Sequence, residues 1–303
     1  MTIVLADPFS LVKTARELSQ INLASWFPVD CSPVGYGDVT FLRESGAVPI
    51  AMSLFGKKAL EDEGCEPLLV PHGFDPDVYH PGDPRAYRDT LPGVTDETFV
   101  IGLCAMNRDP NRKGFFEQFK AFSQFHARHP DSFLAVHGSP GGGGKGLNLH
   151  GMACQLGIST AVGFPEDYLY DLGLITEDQM AAWYNGLDVL SLCSYGEGFG
   201  LPLVEAQACG TPVITTDASA MTELCGAGFL VSGTPFWTDG HTSQWTRPDI
   251  SDIDAAYEAA WQAREADALP KQPAVDFAQQ FTADKVTEDF WKPALKELEG
   301  MFG

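Results

Sequence analysis

Positive charge is scarce in this chain. Its 303 residues carry 19 lysines and arginines against 41 aspartates and glutamates, a formal net charge of −22. Such a surface repels phosphate backbones and anionic membranes, so neither nucleic acid nor lipid headgroups are expected as general partners. An anionic small ligand binds only where local cations and backbone N–H groups overcome that field. Long apolar runs are missing as well. Although 44% of the residues are hydrophobic, no stretch approaches the length of a transmembrane segment. The N-terminus, MTIVLADPFSLVKTAREL, has no basic region followed by an apolar one, so no secretory signal is expected. Seven cysteines (31, 65, 104, 154, 193, 209 and 225) form no C-x-x-C pair. Dispersed in settings such as GLCAM and SLCSY, they read as buried thiols of a cytoplasmic protein rather than a disulfide framework or zinc site.

What is present is alternation. The apolar runs TIVLA (2–6), LASWF (23–27), AVPIAM (47–52) and PLLVP (67–71) form one series. A second comprises 98–105, 132–138, an ambiguous run near 160–164, 187–193, 211–216 and 228–233. Continuous apolar strands spaced by helical patterns predict an α/β fold with parallel sheets covered on both faces. Phenylalanines 115, 119 and 122 recur at helical spacing up to Pro130, and Thr176–Gln179 has the form of a capping box. Amphipathic helices are expected over 252–267 and 282–298. The Pro- and Asp-rich stretch 74–97 reads as a linker between a domain of residues 1–73 and one of 98–280. Residues 281–303 are read as a C-terminal helix packing back on the first domain.

The segment SYGEGFGLPLVEAQACGTPVITTD (194–217) carries the chemistry. Pro202 suits the first turn of a helix and Gly210 its stop, so the helix runs over about 201–209. The GEGFG loop feeds its N-terminus, where free N–H groups and the helix dipole favour an anion. Glycines 196, 198 and 200 let backbone approach a ligand. Glu205, one turn in, is placed to accept two adjacent hydroxyls, and Glu197 sits in the loop itself. A solvated loop before an ordinary helix is the plainer reading of the glycines alone.

The combined pattern E-G-F-G-L-P-x-x-E-A-x-A-x-G-x-P-V-I resembles the E-x7-E signature of retaining GT-B glycosyltransferases, the glycosyl transferases group 1 family. PHGFDPDVYHP (71–81) resembles that family's linker entry, with His72 for the usual asparagine. GLCAMNRDPNRKGFFEQFKAF (102–122) resembles its G-R-x-x-x-x-K-G segment. The resemblance covers roughly 70–300. It implies a GT-B-like fold of two Rossmann-like domains and a nucleoside-diphosphate-sugar donor, with an unspecified acceptor and no cofactor. Arg108 and Lys113 match the basic pair that contacts the diphosphate, Glu205 the glutamate holding the ribose, and Glu197 the one near the donor sugar. Phe199, Gly200 and Leu201, with Gly198 beside them, supply backbone contacts. His137 and Gly138 occupy the strand end near the nucleotide. No D-x-D-like pair lies in a site loop, since Asp75-Pro76-Asp77 belongs to the linker motif, so transfer without metal is expected. Retention is implied by the resemblance alone.

Only about 73 residues precede the linker, so the first domain is expected to be incomplete, wanting its earliest βα units. That leaves room for a homo-oligomer or a complementary chain. It also keeps alternatives in view: a non-catalytic sugar-nucleotide-binding subunit, an epimerase of the same fold, or a structural module. Asp7 and Asp30 sit at strand ends where acceptor-side groups would lie. Trp237 and Trp245 are able to stack on a sugar or base, although packing of a long loop is the commoner role. Glu223 reads as structural.

Overall fold

The computed structural model describes residues 1–108, 111–141, 146–240 and 242–303. Its first sheet joins β1 (Thr2–Leu5), β2 (Leu23–Phe27), β3 (Val48–Ala51) and β4 (Leu68–Leu69) in chain order, every pair parallel. The two faces of β2 show how this sheet is covered. Leu23 and Phe27 join a core with Phe41, Leu42 and Leu60 from the helices Tyr36–Ser45 and Leu54–Asp62. Ala24 and Trp26, pointing the opposite way as strand alternation requires, pack on Val286, Ala294 and Leu298. The second face is therefore closed by the chain's own C-terminal segments, Ala283–Val286, Thr287–Trp291 and Lys292–Phe302. The expected single helix over 282–298 is thus three consecutive helical pieces.

The second sheet has the order β10-β9-β8-β5-β6-β7, again parallel throughout the described residues. Its strands are β5 (Phe99–Cys104), β6 (Ser132–His137), β7 (Val162–Gly163), β8 (Val189–Leu192), β9 (Val213–Thr216) and β10 (Gly228–Val231). The chain runs outward from β5 to β7, then returns to the other side of β5 as β8. The carboxyl ends of β5 and β8 thus flank a topological switch point, where open α/β sheets bind ligands. Phe115, Phe119, Phe122 and Phe125 bury one face of the helix Phe115–Arg128 against this sheet. A ribbon of β11 (Gly233–Thr238) and β12 (Ser243–Pro248) follows, antiparallel, which the alternating α/β pattern did not suggest.

The stretch 74–97 is packed, not free. Arg88 is buried, donating to Asp188 at 2.7 Å and to the carbonyls of Gly186 and Thr98. Asp188 also accepts from the Val100 N–H at 2.8 Å. A half-satisfied buried ion pair is costly, whereas one with every neighbour engaged fixes geometry. The chain crosses between the domains at two adjacent places, tied where the Phe74 N–H donates to the Phe281 carbonyl and the Ala283 N–H to the Phe74 carbonyl.

Candidate active site

The residues following β1 to β4 form one wall of a cleft. Leu5 and Asp7, Pro28 and Asp30, Met52, and His72 come in turn from the four strand ends, with Phe9 and Asp38 beside them. The opposite wall is Arg112 and the loop Glu197–Leu201, and the space between is about 470 Å3. His72 packs between Trp26 and Phe199, at ring-centroid distances of 4.5 and 5.4 Å, and burial pushes its pKa down. Its imidazole is therefore neutral near pH 7.

Two loops meet at the switch point, and one glycine sets their separation. Gly114 has φ +59°, and a Cβ there would lie 2.2 Å from the Cys193 carbonyl oxygen. This contact brings Lys113 to the loop after β8. Lys113 Nζ donates to Glu197 Oε1 at 2.5 Å and Ser194 Oγ donates to the same oxygen at 2.6 Å. Arg112 reaches Glu197 Oε2 at 3.3 Å, the Gly196 carbonyl at 3.0 Å, and Asp30 of the first domain at 3.5 Å. The Glu197 N–H is bound by Ser219 Oγ at 3.0 Å. Burial alone would raise the Glu197 pKa, but Lys113, Arg112 and the hydrogen bonds outweigh it and hold the carboxyl below its ordinary value.

Glu205 is treated differently. Among the described residues it does not line the 470 Å3 space. Its carboxylate accepts from Tyr184 Oη at 2.7 Å, and burial raises its pKa, with the Tyr184 hydrogen bond opposing. Cys104, at the end of β5, sits within the fields of both: burial and then Glu205 raise its thiol to about 12, while Lys113 acts against them. Glu197 adds to the same upward push on Cys104.

The remaining expected residues fall around the same strand ends. His137 closes β6, its ring 5.2 Å from Tyr170 and 5.9 Å from Trp183. Burial lowers its pKa to about 4, leaving a neutral imidazole at pH 7. Gly138 lies against the Ala105 carbonyl, which a Cβ would approach to 2.6 Å. Arg108 is exposed on the turn after β5; burial raises the pKa of Tyr170, and Arg108 is near enough to oppose that rise in part. Arg112, not Arg108, is the arginine that touches Glu197. Arg112 stands next to Lys113 in the same motif, but the family resemblance singled out Arg108. Phe199 is buried, and Gly200, at φ +108°, opens the helix Leu201–Ala208. Gly198 faces the first domain: a Cβ there would lie 2.1 Å from Pro28 Cβ. Its lack of a side chain lets the two domains close at this point. Glu223 also joins them, accepting from the Leu54 and Phe55 N–H groups at 3.1 and 3.2 Å.

Residues 99–243 match the family described as "Glycosyl transferases group 1". The chain belongs to that family. Among curated relatives, the D-inositol 3-phosphate glycosyltransferase of Corynebacterium jeikeium is 37% identical over 158 residues, covering 50% of this chain and 36% of that protein. The enzyme of that name from Rhodococcus opacus is 33% identical over 294 residues, covering 92% of this chain and 61% of its own length. This group 1 chain therefore spans between about a third and three fifths of these relatives. Sucrose-phosphate synthase from Thermosynechococcus elongatus superposes with TM-score 0.75 at 19% identity, covering 99% of this chain and 74% of that one. Anabaena HepE in complex with UDP-glucose does so with TM-score 0.74 at 20% identity, covering 97% and 78%. At these identities the likeness is one of fold, and the fold is GT-B.

Proposed function

We propose that this chain is a hexosyl-type glycosyltransferase that takes its sugar from a nucleoside-diphosphate donor. The observation that carries the reading is the meeting of Lys113, Arg112 and Glu197 at the switch point, beside the N-terminus of the helix Leu201–Ala208. A leaving diphosphate gains negative charge while the anomeric carbon becomes electron-poor. Preorganised cations and aligned N–H groups stabilise the first, and a buried ionised carboxylate the second. Lys113, Arg112 and, from the exposed turn, Arg108 supply positive charge; Phe199, Gly200 and Leu201 supply backbone N–H groups. Glu205 is the ribose ligand in this reading, exchanging its Tyr184 hydrogen bond for two sugar hydroxyls, and neutral His137 and Gly138 border the base. The fixed cations support transfer without a divalent ion, and the family resemblance supports retention.

The acceptor follows from the other wall. The relatives' name specifies a phosphorylated acceptor, inositol 3-phosphate. Among the described residues, the first-domain side of the cleft carries Asp7, Asp30 and Asp38, and its imidazole, His72, is kept neutral by burial. With a donor diphosphate occupying the cations opposite, this wall suits an uncharged polyol or sugar over a phosphorylated one.

The test is a calorimetric screen of UDP-, GDP-, ADP- and dTDP-sugars against wild type and Glu205→Ala. The proposal expects one nucleotide class to bind and binding to weaken at least tenfold in the variant. Undiminished binding by Glu205→Ala removes the ribose role, and no binding of any donor removes the proposal. Product stereochemistry, read by NMR, decides retention, and transfer in the presence of EDTA decides metal independence.

A further inference from the structure

A second and larger cavity, of about 1220 Å3, lies behind the donor cleft, between the β11–β12 ribbon and the N-terminal turn of the helix Phe115–Arg128. Of the two ribbon tryptophans, Trp245 is buried in packing against Cys31, Tyr195 and Phe236. Trp237 is not: it lines this cavity and is 53% exposed. Across from it Phe116, 43% exposed, stays out of the core that its neighbours Phe115 and Phe119 join. Exposed aromatic surface on two sides of a concavity marks a binding place rather than a packing one.

The charges in the cavity select the ligand. Arg247 Nε donates to Glu117 Oε1 at 2.7 Å, and Glu117, fully buried, also accepts from Tyr195 Oη at 2.8 Å. That guanidinium is already neutralised, and Asp249 adds a further acid to the lining. An anionic ligand therefore meets no uncompensated cation among the described lining residues. Asn111, Thr234 and Ser251 add neutral polar groups to the lining. Apolar faces together with neutral polar groups match a carbohydrate, whose C–H faces stack on aromatics while its hydroxyls bond at the rim. The volume exceeds the roughly 300–1,000 Å3 of sites for drug-sized ligands, which gives room for several sugar rings.

The two cavities share a wall. Asn111 lines the larger one and Arg112 the donor cleft. The Tyr195 N–H donates to the Arg112 carbonyl at 2.7 Å, and Trp245 Nε1 donates to Asp30 of the cleft at 3.4 Å. We infer that the ribbon cavity is an oligosaccharide site, holding the non-reacting end of a glycan acceptor on Trp237 and Phe116. The inference rests on the glycosyltransferase reading for its purpose, but its binding step needs no donor.

A printed array of neutral, amino-substituted and acidic glycans, probed with the whole chain, gives the first result, and calorimetry on the strongest binder the second. Neutral glycans of three or more rings are expected to bind. Trp237→Ala and Phe116→Ala, both surface truncations, are each expected to weaken that binding at least tenfold while leaving UDP affinity and thermal midpoint unchanged. Three results overturn the inference: a silent array from protein that still binds UDP, a preference for acidic glycans, or variants that bind as wild type does. Should glycans bind while no nucleotide does, the donor reading fails and the glycan site stands.

Discussion

Replacing Glu197 by glutamine keeps the shape of the side chain and removes its charge. The structure assigns two opposing consequences to that change. In the folded protein Lys113 and Arg112 lose the carboxylate they share, and the new amide must present hydrogens toward one of two donors that now surround it, at 2.5 and 3.3 Å. Only the Ser194 hydroxyl, able to rotate, adapts without loss. Side-chain exposures of 14% for Lys113 and 11% for Glu197 place the pair near the buried end of the scale. Breaking such a pair by removing one partner costs about 3 kcal/mol. For a domain of this size that lowers the thermal midpoint by about 6–12 °C. The donor site responds in the other direction. Lys113 is released from its carboxylate for a diphosphate while Arg112 keeps Asp30 at 3.5 Å, and UDP affinity rises roughly tenfold, the equivalent of about 1.4 kcal/mol. Transfer itself falls, since the carboxylate no longer faces the anomeric carbon. Differential scanning calorimetry, UDP titration and a turnover assay read the three effects. An unchanged midpoint together with weaker UDP binding refutes the reasoning, because it means that Lys113 and Arg112 are not engaged with Glu197 in the free protein.

The two glutamates predict opposite pH effects. The folded pKa of Glu197 is depressed, so its contribution is complete above the ordinary carboxylate value of 4.5 and is lost as pH falls through the lower folded value. Glu205 is raised, so its ionisation costs the folded state stability as pH climbs from 4.5 through the raised value. Glu205→Gln, which Tyr184 can still satisfy, is therefore expected to melt higher than wild type at pH 7 and equally below pH 4; a lower midpoint at pH 7 contradicts this. Arg88→Met leaves Asp188 buried with the Val100 N–H and, at 3.4 Å, Arg264, and is expected to cost about 3–5 kcal/mol in urea unfolding. Gly198→Ala drives a methyl into Pro28 and is expected to part the domains, seen as a larger radius of gyration in solution scattering, with little loss of second-domain stability.

The second domain was readable because its periodicities and its punctuation agree. Apolar strands, a phenylalanine stripe, the Thr176 capping box and the Pro202 helix start all point to one arrangement, and the structure has them there. The ribbon 233–248 was not read although Asp239-Gly240 is a turn signal, because Trp237, Trp245 and two prolines in polar company give no clean alternation on either side of it. Arg112 was missed for a different reason. Spacing in a loop says which residues are near Lys113 along the chain, whereas direction depends on the Gly114–Cys193 contact, which only the folded backbone reveals. The same holds for Gly198. Its absent side chain was legible as a close approach, but a glycine does not name its neighbour, and here the neighbour is Pro28 of the other domain. The C-terminal segment was legible as amphipathic helix; of its division into three helical pieces the sequence shows Pro293, in the first turn of the last piece.

If Lys113 holds the donor diphosphate at the switch point between β5 and β8, its charge governs UDP binding. Calorimetric titration of UDP into wild type and Lys113→Met is expected to show at least a tenfold loss of affinity in the variant, with both proteins folded by circular dichroism. Equal affinity in the two removes Lys113 from the donor site.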